Sequence, residues 1–186
     1  MSNLISDKNI VWVGLEMTGL DIDKDQIIEM ACLITDDQLN IIAESPDLVI
    51  HHTDHTLENM NEWCITQFKI SGLTELSRNS KLTLEEAENE MLEFIKKYTP
   101  NGKCPLAGNS VHMDKIFLNK YMKNFMGHLH YRIIDISSIK ELCKRWNPEA
   151  FKSIPWKQST HRALDDIRES VMELKYYQGC FFKNSA

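Results

Sequence analysis

The apolar positions of this chain fall into two kinds of pattern. Near the N-terminus they form short β-branched blocks at residues 9–17 ("NIVWVGLEM"), 26–36 and 40–52, each bounded by polar turns. Blocks of that length and composition predict three strands in a meander. Further along, the apolar residues spread to helical spacing. Leu57, Met60, Cys64 and Phe68 predict a helix over 56–71, with Gly72 as its stop signal. Thr83 and Glu86 form a capping-box pattern. It opens a second helix that buries Leu84, Ala87, Met91 and Phe94 or Ile95 and ends on Lys96 and Lys97. Residues 104–110 ("CPLAGNS") predict a short buried strand and 113–123 a helix. "YRIIDIS" predicts another strand and 137–146 another helix. A last helix runs from about His161 to Tyr177 on Leu164, Ile167, Val171 and Leu174. A meander followed by alternating helices and strands predicts an α/β fold, a mixed sheet flanked by helices. A length of 186 residues suits one such domain over 1–186, with its core at about 9–177.

Composition narrows the class. A net charge of −6 argues against broad nonspecific duplex binding, which needs an extended basic surface. It leaves room for a small nucleotide substrate, because carboxylates loaded with divalent cations present a positive site. No apolar run approaches the roughly 20 residues of a membrane span. The start, "MSNLISDKN", lacks the basic flank and apolar core of a signal peptide. The cysteines, Cys32, Cys64, Cys104, Cys143 and Cys180, are odd in number and include no CxxC. That predicts free thiols in a reducing, intracellular compartment.

The candidate chemistry lies where predicted strands end and helices begin. Glu16 follows the first strand, Asp114 follows "LAGNSVH", and His161, Asp165 and Asp166 open the last helix. Three carboxylates and a histidine suit two-metal phosphoryl chemistry, with ions roughly 3.5–4 Å apart. Hard oxygen donors select Mg²⁺ or Mn²⁺, and a neutral histidine suits a base that takes a proton from water. Taken one at a time, a surface acid is far more often a solvated charge than a ligand; Asp114 alone fits a first-turn helix acid, and Asp165 and Asp166 an exposed helix face.

The wording of the segments goes further. "GLEMTGLD", "CPLAGNSVHMDKIFL", "YRIIDISSIKELCKRW" and "HRALDDIRES" occur in that order over about residues 9–177. They resemble the oligoribonucleases, in the DEDDh branch of 3′→5′ exonucleases with an RNase H-like fold. The resemblance implies metal ligands at Glu16, Asp114 and Asp166 for two Mg²⁺ or Mn²⁺ ions, and His161 as general base. It implies base contacts from Leu20 and Trp63. It further implies a 5′-phosphate cap from Ser110, Arg132 and Ser137, and a substrate contact from His112. Tyr131 matches a residue supplied by the second subunit of a homodimer. The implied substrate is a diribonucleotide or very short RNA, cut to nucleoside 5′-monophosphates in the cytoplasm or mitochondrion.

Two local points qualify the match. Five residues of a regular helix span about 140°, so His161 and Asp166 share a site only if His161 precedes the helix. Ser159 and Thr160, both capping types, fit that arrangement. At position 14, where the family's Asp-x-Glu motif carries its first aspartate, this chain has Gly14. A glycine offers no side-chain oxygen, and the sequence suggests water in the vacated place. An engineered change, a natural loss and a sequence error all account for it. Set against the family motif, Gly14 implies an inactive or impaired chain. A binder of short RNA without turnover stands as an alternative, as does a DNA-trimming exonuclease of the same branch. His51, His52 and His55 read as an exposed loop, and Lys144–Arg145 as the basic end of a helix.

Overall fold

A computed structural model describes residues 5–157 and 160–182. The meander opens with β1 (Ile10–Met17) and β2 (Ile27–Thr35), paired antiparallel. All nine residues of β2 are buried, as expected for a strand covered on both faces. The predicted third strand is two pieces, β3 (Ile41–Glu44) and β4 (Leu48–Val49), which share one edge of β2. The break falls at Ser45–Pro46–Asp47, since proline cannot donate to a ladder. Ser45 Oγ takes the Cys32 N–H at 2.8 Å in its place.

The predicted helix over 56–71 is also divided, into α1 (Asp54–Glu58) and α2 (Glu62–Ile70). Asn61 caps the second piece by accepting from Cys64 N–H. Gly72, at φ 77°, turns the chain into α3 (Leu73–Asn79), which the periodicity did not reveal. The capping box is formed as predicted and starts α4 (Leu84–Lys96). Then come β5 (Pro105–Gly108), α5 (Val111–Tyr121), α6 (Lys123–His128), β6 (His130–Asp135), α7 (Ile136–Trp146), α8 (Pro148–Lys152) and α9 (Ala163–Phe181). The short helices α6 and α8 were absent from the sequence reading. They are a turn or so long, too brief for a period to show.

The sheet runs β3-β2-β1-β5-β6, with β5 parallel to both β1 and β6. Strand alternation divides the core. Val11, Val13 and Leu15 of β1 face Ala87, Met91, Phe117 and Leu118 of α4 and α5. Trp12, Ala31, Leu33 and Ala107 face Ile167, Val171 and Tyr177 of α9. Each fully buried Val, Leu, Ile, Phe or Met among them stabilises the fold by roughly 1.5–3 kcal/mol. Gly14 and Glu16 share the face of Trp12 and so point toward α9. Among the described residues no helix is long and apolar enough to cross a membrane.

Candidate active site

Glu16 closes β1 on the α9 face and is 9% exposed. His161 lies in the segment before α9, at φ 53°, and Asp166 sits in the helix's first turn. That placement resolves the spacing question, because His161 precedes the helix. Ser159 lies outside the described residues, while Thr160 Oγ1 donates to Asp165 Oδ2 at 3.3 Å. Glu16, His161 and Asp166 each offer a ligand atom within 4.8 Å of one another. Oδ1 of Asp166 is buried with no hydrogen-bond partner among the described residues. An orphaned carboxylate oxygen facing a second carboxylate and an imidazole suits a divalent cation, whose hard charge such donors satisfy. Asp165 turns away, pairing with Arg168 Nη1 at 3.0 Å, and Arg168 in turn forks onto Glu44.

Asp114 stands apart from that triad. It lines the same cleft, but its Oδ1 accepts the Leu15 N–H at 3.1 Å, tying α5 to the strand that carries Glu16. The cleft has a volume of about 390 Å³. A neighbouring cavity of about 490 Å³ shares Glu16, Leu20, His161 and Asp166 with it and adds Trp63. Trp63 and Leu20 are mostly exposed. The Trp63 and His161 rings meet in a T-shaped arrangement, centroids 5.1 Å apart and planes at 85°. Trp63 therefore stands outside the packed stripe of its helix.

The other predicted residues gather at the mouth to different degrees. Ser110, at φ 50°, lines the cleft, and its Oγ lies 3.1 Å from Ser137 Oγ. His112 Nδ1 lies 3.2 Å from Asp135 Oδ2. Tyr131 and Arg132 are exposed on β6, with the guanidinium 5.5 Å from the Tyr131 ring centre, and neither lines the cleft. Sequence reasoning missed Asp135, which organises this corner. Its carboxylate accepts from Ser110 N–H and Ser137 N–H and meets His112. An acid at a strand end preceding a helix was the available signal. Lys157 was also missed. It lines the cleft and bonds to Asn109 and to the buried Glu173.

An exonuclease family, RNase_T, matches residues 11–174. A mitochondrial oligoribonuclease from Homo sapiens is 58% identical over 95% of this chain and 74% of its own length. An oligoribonuclease from Colwellia psychrerythraea is 49% identical over 96% of this chain and 98% of its own. The chain belongs to the oligoribonuclease family. Among solved structures, E. coli exonuclease I in complex with a dA16 oligonucleotide aligns with a TM-score of 0.72 at 14% identity, over 92% of this chain. The zinc-bound E. coli exonuclease I–ssDNA complex aligns with 0.73 at 14%. This chain spans only 41% of each of those proteins, and at such identity the likeness concerns the fold, which is RNase H-like.

The oligoribonuclease-family site is dominated by carboxylate desolvation. Burial, then the charges of Asp166, Glu29 and Asp114, push Glu16 up to about 8. Burial raises Asp114 to about 7 against the pull of its backbone hydrogen bonds. Burial and Glu169 raise Asp166 to about 6. Three acids driven toward their neutral forms in one cleft mark a place where added positive charge is favourable.

Position 14 departs from the expectation of water in a vacated place. A β-carbon on Gly14 would stand 2.7 Å from the Ala163 carbonyl oxygen and 3.0 Å from Ile167 Cγ1. The first turn of α9 packs directly on the glycine backbone. The histidine cluster also differs from a uniformly exposed loop. His52 is buried and its Nε2 lies 2.8 Å from the Ile27 carbonyl, whereas His51 and His55 are exposed.

Proposed function

We propose that the cleft receives the 3′ end of a diribonucleotide or very short RNA and that the chain acts as a 3′→5′ exoribonuclease, releasing nucleoside 5′-monophosphates. The observation that carries this reading is the convergence of Glu16, His161 and Asp166 within 4.8 Å in one cleft. Glu16 and Asp166 would hold Mg²⁺ or Mn²⁺, with Asp114 as the donor for a second ion beside Leu15. Such ions supply charge stabilisation to a phosphoryl oxygen and lower the pKa of bound water.

The chain's own groups do the rest. His161 accepts the proton of the attacking water. Leu20 and Trp63 hold the bases, and stacking on an aromatic is worth roughly 1–3 kcal/mol per base without regard to sequence. Ser110, Ser137 and Arg132 hold the 5′ phosphate, a use suited to a planar guanidinium and hydroxyls. With Tyr131 from a second copy completing this cap, the working unit is a homodimer.

One observation favours a second reading, a short-RNA binder with little turnover. The Ala163 carbonyl crowds position 14, where the family resemblance calls for a further carboxylate. Time-resolved cleavage of a 5′-labelled diribonucleotide with Mn²⁺ separates the two. Turnover abolished by His161→Ala and Asp166→Asn supports the exoribonuclease. Tight binding with no product supports the binder, and neither binding nor cleavage overturns both.

A further inference from the structure

Helix α9 begins without a side-chain cap of its own. Its first two backbone N–H groups are instead taken by carboxylates from the sheet side. Ala163 N–H donates to Glu29 Oε2 at 2.8 Å, and Leu164 N–H donates to Asp47 Oδ1 at 2.9 Å. The Arg162 guanidinium lies between these acids. Its Nε and Nη2 each stand 2.8 Å from Glu29 Oε1, and Nη2 reaches Asp47 Oδ2 at 3.5 Å. Glu29 is fully buried. A buried acid is retained only where it is paired and hydrogen-bonded, and here the Glu29 carboxylate is met by the Arg162 guanidinium and the Ala163 N–H. Two anions at a helix N-terminus also complement its dipole.

The bracket adjoins the residue whose placement the chemistry needs. His161 directly precedes Arg162 and occupies the left-handed region at φ 53°, which a non-glycine residue holds only when its surroundings fix it. Its ring is met by that of Trp63. Glu29 stands opposite Glu16 in the β1–β2 register, so one rung of the ladder carries both a cleft carboxylate and the anchor of the histidine segment.

We propose that Glu29 and Asp47, acting through Arg162 and the α9 N-terminus, are positioning residues that set the imidazole of His161 against Trp63 and into the cleft. Only the functional consequence rests on the ribonuclease reading.

The test uses the full chain with labelled histidines, free of RNA and metal. The ring resonances of His161, assigned through His161→Ala, are displaced by the ring current of Trp63, and Trp63→Leu calibrates that displacement. Glu29→Ala is expected to abolish it. Glu29→Gln, which keeps an acceptor for Ala163 N–H, is expected to preserve most of it. If Glu29→Ala does not fold, Arg162→Met carries the same test on a partly exposed side chain. A folded Glu29→Ala or Arg162→Met protein with the resonance unmoved overturns the proposal, whatever its melting temperature. Where turnover is measured, kcat should fall roughly tenfold or more at unchanged KM, as for other residues that orient ligands from behind. A chain that cleaves no RNA yet loses the displacement in Glu29→Ala supports the positioning and counts only against the ribonuclease reading.

Discussion

At the scale of single residues, the cleft is a place where charge is held at a disadvantage. Glu16 is raised by burial to about 8. In metal-free protein the folded state then keeps a proton that the unfolded chain has released. The stability tied to this group is fully present below the ordinary carboxylate range and is lost as pH rises through about 8. Glu16→Gln removes that dependence. With chelator present, the parent should lose melting temperature relative to Glu16→Gln between pH 5 and pH 8, and Mn²⁺ should restore more of it at pH 8 than at pH 6. A constant gap between parent and variant across that range would contradict the assignment.

Gly14 gives a second prediction at this scale. Gly14→Ala should destabilise the fold by about 1–3 kcal/mol, the usual cost of overpacking, because the neighbour at 2.7 Å is backbone. Gly14→Asp should share that cost in metal-free protein and recover part of it with Mn²⁺, as α9 shifts outward and the added carboxylate gains a cation. Denaturant unfolding with and without Mn²⁺ checks both.

At the scale of elements, the site is a joint between β1, α5 and α9. Buried charge bonds fasten the joint. Glu173 of α9 is 1% exposed and accepts from Lys157, Asn109 and Tyr177. Burial disfavours its charge, but the bonds and charge of Lys157 win and hold its carboxyl below the ordinary value. Lys157→Met should therefore cost about 1.5–3 kcal/mol, the range for hydrogen bonds to charged groups, measured by urea unfolding.

What the sequence revealed followed from period and wording. The α4 helix was legible from its capping box and stripe, and β1 and β2 from their β-branched blocks. The split of 40–52 turns on one proline, and the split of 56–71 on Asn61 competing for the backbone. Glu16, His161 and Asp166 were legible because four segment signatures occur in order. Asp135, Lys157 and the Glu29–Arg162 bracket were not, since their partners lie far off in sequence and a single acid or lysine carries no pattern. The contact of Ala163 with Gly14 is likewise a matter of how closely a helix approaches a strand, which no spacing along the chain encodes.

At the scale of the molecule, the exposed pair Tyr131 and Arg132 sits on the edge strand β6, away from the cleft lining. In the reading proposed above, Arg132 serves its own chain and Tyr131 reaches the substrate of a second copy. Light scattering should give a mass of two 21.6 kDa chains, and a stable monomer that binds diribonucleotide fully would remove Tyr131 from the cap. Arg132→Ala should weaken diribonucleotide binding by about 1.5–3 kcal/mol, read by titration. Equal affinity of the parent for a dinucleotide and a ten-nucleotide RNA would contradict a cap that selects length.

Helix α9 is the last element among the described residues, and it brings Asp166, the ceiling over Gly14 and the groups that satisfy Glu29. During synthesis, at about 5–20 residues per second, β1, β2 and α4 emerge and pair while Glu29 has no cation and the α9 face of the sheet is bare. Until α9 arrives, a nascent chain therefore leaves part of an apolar sheet face uncovered and lacks Asp166 beside Glu16. A product truncated before Ala163 should be both inert and adhesive, a substrate for chaperones and proteases rather than a competitor for RNA.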